Sequence, residues 1–273
     1  MQKIIDAHIH LSGRQDDALI PYAKMNGLRY TQKELLGTMR KHNVEHGLLL
    51  SPPMNNGDPL PNEEVVSLCE KSGGMLSPVF TVEPTKREVA AAIRLAEENR
   101  EVKGFKVRLG YVKASAESPV FGRLYDYAES EELPVLFHTG DTASSTGDLL
   151  LSHPLALDRL ANARDGLTII LCHFGNPWHD DVAELIYKHP NVFTDMSGLT
   201  TGGGPYPDKF ADWLANRLSA AVYFAGGADK IIFGTDYPVT RLSDALDLVR
   251  RMDVSAGDKE RILWRNAMRV FGL

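Results

Sequence analysis

Eight short β-rich apolar runs, at residues 3–7, 46–51, 75–82, 102–108, 133–138, 167–173, 191–196 and 230–235, alternate with stretches of helical spacing. Helical spacing is clearest over Glu88–Asn99, Val120–Ser130, Pro154–Ala163, Asp180–Lys188, Asp208–Ala221 and Ser243–Met252. Strands separated by helices run parallel, because a parallel connection needs a crossover of about a dozen residues or more. Eight such units favour a closed barrel, the TIM (β/α)8 architecture, and a length of 273 residues fits a single domain spanning 1–273. The rival is an open doubly wound sheet, but the first run is followed by Leu11-Ser12-Gly13-Arg14 and not by a glycine-rich phosphate loop.

A hydrophobic content of 43% supplies a sizeable core, and a net charge of -6 provides no cationic field for a phosphate backbone, which argues against nucleic acid as a partner. The two cysteines, Cys69 and Cys172, fall in a helical stretch and an apolar run, which suits reduced buried thiols. No stretch approaches the ~20 apolar residues of a membrane span, and the start lacks the apolar run of a signal peptide. The expectation is a cytoplasmic protein that meets no membrane.

In a parallel barrel the carboxyl ends of the strands meet on one face, where catalytic groups gather. The first run ends in Asp6-Ala7-His8-Ile9-His10, and strand period 2 points both imidazoles to one side with room for an ion between them. Phe137-His138-Thr139-Gly140, Cys172-His173-Phe174-Gly175 and Gly234-Thr235-Asp236-Tyr237-Pro238 close the fifth, sixth and eighth runs. Four of the nine histidines thus fall at strand ends, while His42, His46, His153, His179 and His189 fall on helices, loops or strand starts. Those five take the bland reading, with His179 expected at the solvent surface and worth watching as a pocket residue. Imidazoles with one carboxylate suit Zn(II) first, then Mn(II), Fe(II) or Co(II). Asp236 or His173 is placed to shuttle a proton.

Lys106 and Arg108 share parity near the end of the fourth run. Lys106 reads as a cation for a substrate carboxylate, against a carbamylated metal bridge or a lysine snorkelling at the rim. Arg108, Tyr111 and Arg14 are further carboxylate contacts to weigh against plain solvation. The loops Pro52–Pro61 and Thr200–Pro207 follow the second and seventh runs and are expected to border the site.

Asp6-Ala7-His8-Ile9-His10, Gly104-Phe105-Lys106, His138-Thr139-Gly140, His173-Phe174-Gly175, Thr194-Asp195-Met196-Ser197 and Gly234-Thr235-Asp236-Tyr237-Pro238, in this order, resemble the amidohydrolase superfamily. The closing Asn266-Ala267-Met268-Arg269-Val270-Phe271-Gly272-Leu273 resembles the branch containing aminocarboxymuconate-semialdehyde decarboxylase and γ-resorcylate decarboxylase. The resemblance implies one divalent metal held by His8, His10, His138 and Asp236, and His173 as general acid/base. It also implies a choice between hydrolysis of a small carboxylate-bearing ester, lactone or amide and non-oxidative decarboxylation of a small unsaturated or aromatic acid. Hydrolysis ranks first for its breadth. Many barrels of that branch pair up, which makes a homodimer the implied assembly. A binding protein that has lost its chemistry is disfavoured by the intact ligand set.

Overall fold

The computed structural model describes residues 3–200 and 207–273. Each apolar run contributes a strand: β1 (Ile4–His10), β2 (Val44–Leu50), β3 (Leu76–Thr81), β4 (Phe105–Val107), β5 (Val135–Phe137), β6 (Ile169–Leu171), β7 (Val192–Asp195) and β8 (Ile231–Ile232). They form one sheet in the order β1 to β8, and the neighbouring strands pair parallel throughout. Backbone bonds from Ala7 N to Phe233 O (3.0 Å), Asp236 N to His8 O (2.8 Å) and His10 N to Tyr237 O (2.8 Å) join the last segment to the first and close the barrel.

The helices that follow the strands are α1 (Gln32–Lys41), α2 (Asn62–Glu70), α3 (Lys86–Glu98), α4 (Gly122–Ser130), α5 (Asp158–Ala163), α6 (His179–Lys188), α7 (Pro207–Phe224) and α8 (Leu242–Arg251). In α3 the Thr85 side chain accepts from Glu88 N, and Val89, Ala92, Ile93 and Ala96 form the buried stripe that lies on the sheet. Among the described residues no helix is long and apolar enough to cross a membrane.

Packing separates into two shells. Ile5, Leu48, Val79, Leu136, Ile170 and Ile232 fill the barrel interior, joined by Ala267 and Phe271 of the carboxyl-terminal helix. The other strand faces pack against the helices. In β1 the inner face carries Ile5 and Ala7, whereas Ile9 belongs to the outer shell. The change of parity falls at a register irregularity between Asp6 and Ile9, a bulge that re-aims His8 and His10 toward the mouth.

The expected runs 102–108, 167–173 and 230–235 shrink to ladders of three, three and two residues. Beyond Leu171 the chain turns through Cys172–Gly175 with His173 and Phe174 at positive φ. Past Ile232 the donors leave the sheet, Phe233 N for Ile262 O and Thr235 N for the Asp6 carboxylate. The helix expected over Pro154–Ala163 begins as a 3-10 turn, Pro154–Leu157, before α5. Of the Thr200–Pro207 loop, residues 201–206 lie outside the described residues.

Candidate metal centre at the barrel mouth

A cavity of about 380 Å³ opens at the carboxyl ends of the strands. His8, His10, Lys106, His138, His173 and Asp236 all line it, so the strand-end residues singled out in the sequence do converge.

Three of them come closest together. Nε2 of His10 lies 3.1 Å from Asp236 Oδ1, and Nε2 of His8 lies 3.6 Å from the same oxygen. The opposite ring nitrogens are engaged from behind: His10 Nδ1 meets the Leu50 carbonyl at 3.0 Å, and His8 Nδ1 meets Asp195 Oδ2 at 2.9 Å. A carbonyl and a carboxylate only accept, so each Nδ1 carries the proton and each Nε2 turns a lone pair toward Asp236. Lone pairs facing a carboxylate oxygen repel unless a cation stands between them. His8 Nε2 is moreover buried with no hydrogen-bond partner. The donor set of two imidazoles and one carboxylate fits a borderline divalent cation.

Asp236 sits at φ 61, a left-handed conformation that costs a non-glycine residue energy and is kept where the surroundings enforce it. Its backbone N–H is tied to His8 O, which couples the aspartate to the first histidine. Burial by itself would raise the Asp236 carboxyl, but the imidazoles of His10, His173 and His8, each of which favours the carboxylate whenever it carries a proton toward it, hold it well below the usual range. Burial, aided by Lys106, lowers His8 to about 4 against the pull of Asp195, so the ring stays neutral as a ligand must be.

His138 stands apart from this trio. Its Nε2 is 3.0 Å from Asp141 O, which makes that nitrogen the donor and leaves Nδ1 basic. Its ring centre is 4.8 Å from that of His173 and 4.8 Å from that of Tyr111. Burial first, then the charges of His173 and Lys106, keeps it well below the ordinary histidine value.

His173 is held at φ 62 with its backbone N–H on Asp195 Oδ1 at 2.9 Å. Its Nδ1 approaches Ser197 Oγ at 2.8 Å and Ser197 O at 3.2 Å. Donation to that carbonyl leaves Nε2 as the basic atom of a ring that lines the cavity. Burial lowers its pKa, partly offset by Asp236. Gly198, at φ 68, makes room for this arrangement: a Cβ there would stand 3.0 Å from Asp236 Oδ2 and 3.1 Å from His173 Nδ1.

Asp195 and Ser197 carry more of the site than the sequence reading gave them. Both Asp195 oxygens are used, Oδ2 by His8 and Oδ1 by the backbone N–H groups of His173 and Ser197 (2.9 and 3.0 Å) and by the Ser197 hydroxyl. Burial works against its ionisation, but His8, His173 and Lys106 prevail and keep it charged. The signal was present: Asp195 closes β7 as Asp236 follows β8.

Lys106 is buried, 5% exposed, and its Nζ lies 2.7 Å from Cys172 Sγ, which rules out a lysine snorkelling at the rim. Arg108 also lines the cavity, but its guanidinium is taken by Glu83 at 2.7 Å and by the Gly57 carbonyl at 3.0 Å. That pairing ties the Pro52–Pro61 loop to β4. Arg14 binds Asp16 and Glu64 on the exposed surface. His179, expected in solvent, is buried at 1% exposure, off the cavity, with its ring 5.9 Å from that of Phe174. His46 and His189 bond to Ser77 and Asp158 away from the mouth, as expected of them.

The family described as amidohydrolase matches residues 5–273. An L-fucono-1,5-lactonase of Burkholderia ambifaria is 33% identical over 35% of this chain and 39% of its own length, so the chain spans about two fifths of that relative. An amidohydrolase of Burkholderia multivorans with bound zinc superposes with TM-score 0.72 at 17% identity, covering 99% of each chain. A dihydroxybenzoic acid decarboxylase of Polaromonas sp. JS666, with bound manganese and the inhibitor 2-nitroresorcinol, superposes with TM-score 0.68 at 16% identity, covering 100% of this chain and 98% of that one. At such identities the structural likeness is one of fold.

Proposed function

The chain belongs to the amidohydrolase family, and from that premise we propose that it is a metal-dependent hydrolase of a small carboxylate-bearing lactone, ester or amide. The observation that carries this reading is the pair of Nε2 lone pairs of His8 and His10 facing Asp236 Oδ1 across 3.6 and 3.1 Å. His8, His10 and Asp236 would hold one divalent metal, zinc before manganese or iron, with His138 as the fourth ligand through Nδ1. When bound, such an ion supplies Lewis acidity for a scissile carbonyl and a lowered pKa for water.

The protein's own groups do the rest. His173, with Nδ1 committed to Ser197, takes a proton from water at Nε2 and returns it to the leaving group. Asp236, held ionised, shares that proton traffic. Lys106 attracts the substrate carboxylate from the cavity wall. Arg108 contributes field while its guanidinium keeps Glu83 and the Pro52–Pro61 loop in place. The lactonase relative supports a cyclic ester as the first substrate class.

Decarboxylation is the second reading, favoured by the aromatic edge that Tyr111 presents beside His138, which suits a planar acid. In it Lys106 orients the departing carboxylate and His173 protonates the carbon left behind. Turnover in 18O-water separates the two: label in a carboxylate product supports the hydrolase, while carbon dioxide release with solvent hydrogen on carbon overturns it in favour of the lyase. Elemental analysis accompanies it, with about one zinc or manganese per chain expected and lost in His8→Ala and Asp236→Ala.

A further inference from the structure

Lys106 and Cys172 form a buried pair that the proposed reaction uses on one side only. The lysine is 5% exposed and the cysteine fully buried, and among the described residues the hydrogen bond of Nζ goes to Sγ. A thiol is a poor acceptor for a buried amine, which ordinarily demands a carboxylate or several carbonyls. The separation of 2.7 Å is what an N–H···O bond would show, although sulfur is the larger atom. Two single bonds meeting at a bent oxygen atom span the same distance.

We propose that Lys106 and Cys172 are a covalent modification site, at which peroxide links Nζ to Sγ through one oxygen atom. A first peroxide converts the thiol to a sulfenic acid and leaves as water. A second peroxide accepts two electrons and two protons, one from the sulfenic S–OH and one from the neutral amine, as the O–N bond forms, and leaves as two waters. The sulfur and nitrogen are oxidised, the peroxide oxygens are reduced, and an ammonium starting form sheds its extra proton to solvent. A thiol reductant reverses the bridge.

Lys106 lines the cavity, Cys172 does not, and Sγ lies 2.7 Å from the lysine amine, so peroxide reaches the thiol past the Lys106 side chain. Burial holds the Cys172 thiol well above its ordinary pKa against the pull of Lys106, so selectivity comes from geometry rather than acidity. Cys69 is an internal comparison: its thiol is likewise buried and pushed up to about 12, with no lysine in hydrogen-bond contact in the described structure. The bridge removes the cation from the cavity wall. Its effect on turnover rests on the reading of Lys106 as the substrate cation; its formation does not.

The test treats the metal-loaded full chain with hydrogen peroxide and follows it by intact mass and peptide mapping. The expected product is a Lys106 peptide joined to a Cys172 peptide with a gain of about 14 Da, one oxygen in and two hydrogens out. It disappears with a thiol reductant and is absent from Cys172→Ser and Lys106→Met. Oxygen added to Cys172 with the Lys106 peptide free, a link at a loss of about 2 Da, or an unmodified Cys172 while methionines oxidise would each overturn the proposal. A bridge that forms without slowing carboxylate substrates would instead remove Lys106 from the proposed function and leave the modification site standing.

Discussion

Asp195 holds His8 by Nδ1 at 2.9 Å and gives its other oxygen to the backbone N–H of His173 at the same distance. One buried carboxylate at the end of β7 thus aligns the proposed ligand from β1 and the proposed proton carrier after β6. Ser197 completes the link, with Oγ 3.0 Å from His8 Nδ1 and 2.8 Å from His173 Nδ1.

Asp195→Asn tests that alignment. An amide turned the wrong way presents a donor to the Nδ1–H of His8 and favours the tautomer that takes the Nε2 lone pair away from the centre. Metal affinity should fall about 10–100-fold, with a comparable loss of kcat. Competition with a chelator measures the first, and unchanged affinity in a folded variant would remove Asp195 from the centre.

His173→Gln separates proton transfer from metal binding. The variant should keep its metal, keep KM within a few-fold, and lose about 10²–10⁴ in kcat. Loss of the metal along with activity would make His173 a ligand and not a proton carrier.

Gly198→Ala probes a residue with no chemistry of its own. The added methyl group meets Asp236 Oδ2 at 3.0 Å and His173 Nδ1 at 3.1 Å, at a φ of 68. About 1 kcal/mol of backbone strain is expected, with a fall in kcat larger than any fall in thermal stability explains. Wild-type turnover in this variant would show that the pair tolerates displacement.

His179 supplies a pH dependence away from the mouth. Burial, then the positive charge of Arg217 on α7, lowers it from 6.5 to about 4, with Asp180 pulling the other way. The folded form therefore resists protonation that the unfolded chain accepts. Stability is unaffected above pH 6.5 and declines as pH falls from 6.5 toward 4, by at most about 3 kcal/mol. Chemical denaturation across that window should show His179→Leu with the shallower decline, and parallel slopes would contradict this account.

The barrel was legible because each strand carries its own apolar run and each helix its own stripe. The trio of His8, His10 and Asp236 was legible because each residue sits at a strand end, and strand ends share a face. The pairing of Arg108 with Glu83 was not legible, because Glu83 arrives from the loop after β3, 25 residues away. His179 looked solvent-exposed because Asn176-Pro177-Trp178 reads as a polar turn, whereas its burial against Phe174 depends on the left-handed bend at His173. The role of Asp195 was not legible, since it is defined by partners on β1 and after β6.

The seam that closes the barrel runs through the site itself: Asp236 N donates to His8 O, and Thr235 donates to Asp6 from 229 residues away. During synthesis on the ribosome the two histidines are made well before the aspartate that meets them. A nascent chain that lacks β8 therefore cannot assemble the trio of His8, His10 and Asp236, which forms only when the last strand of the fold closes the barrel.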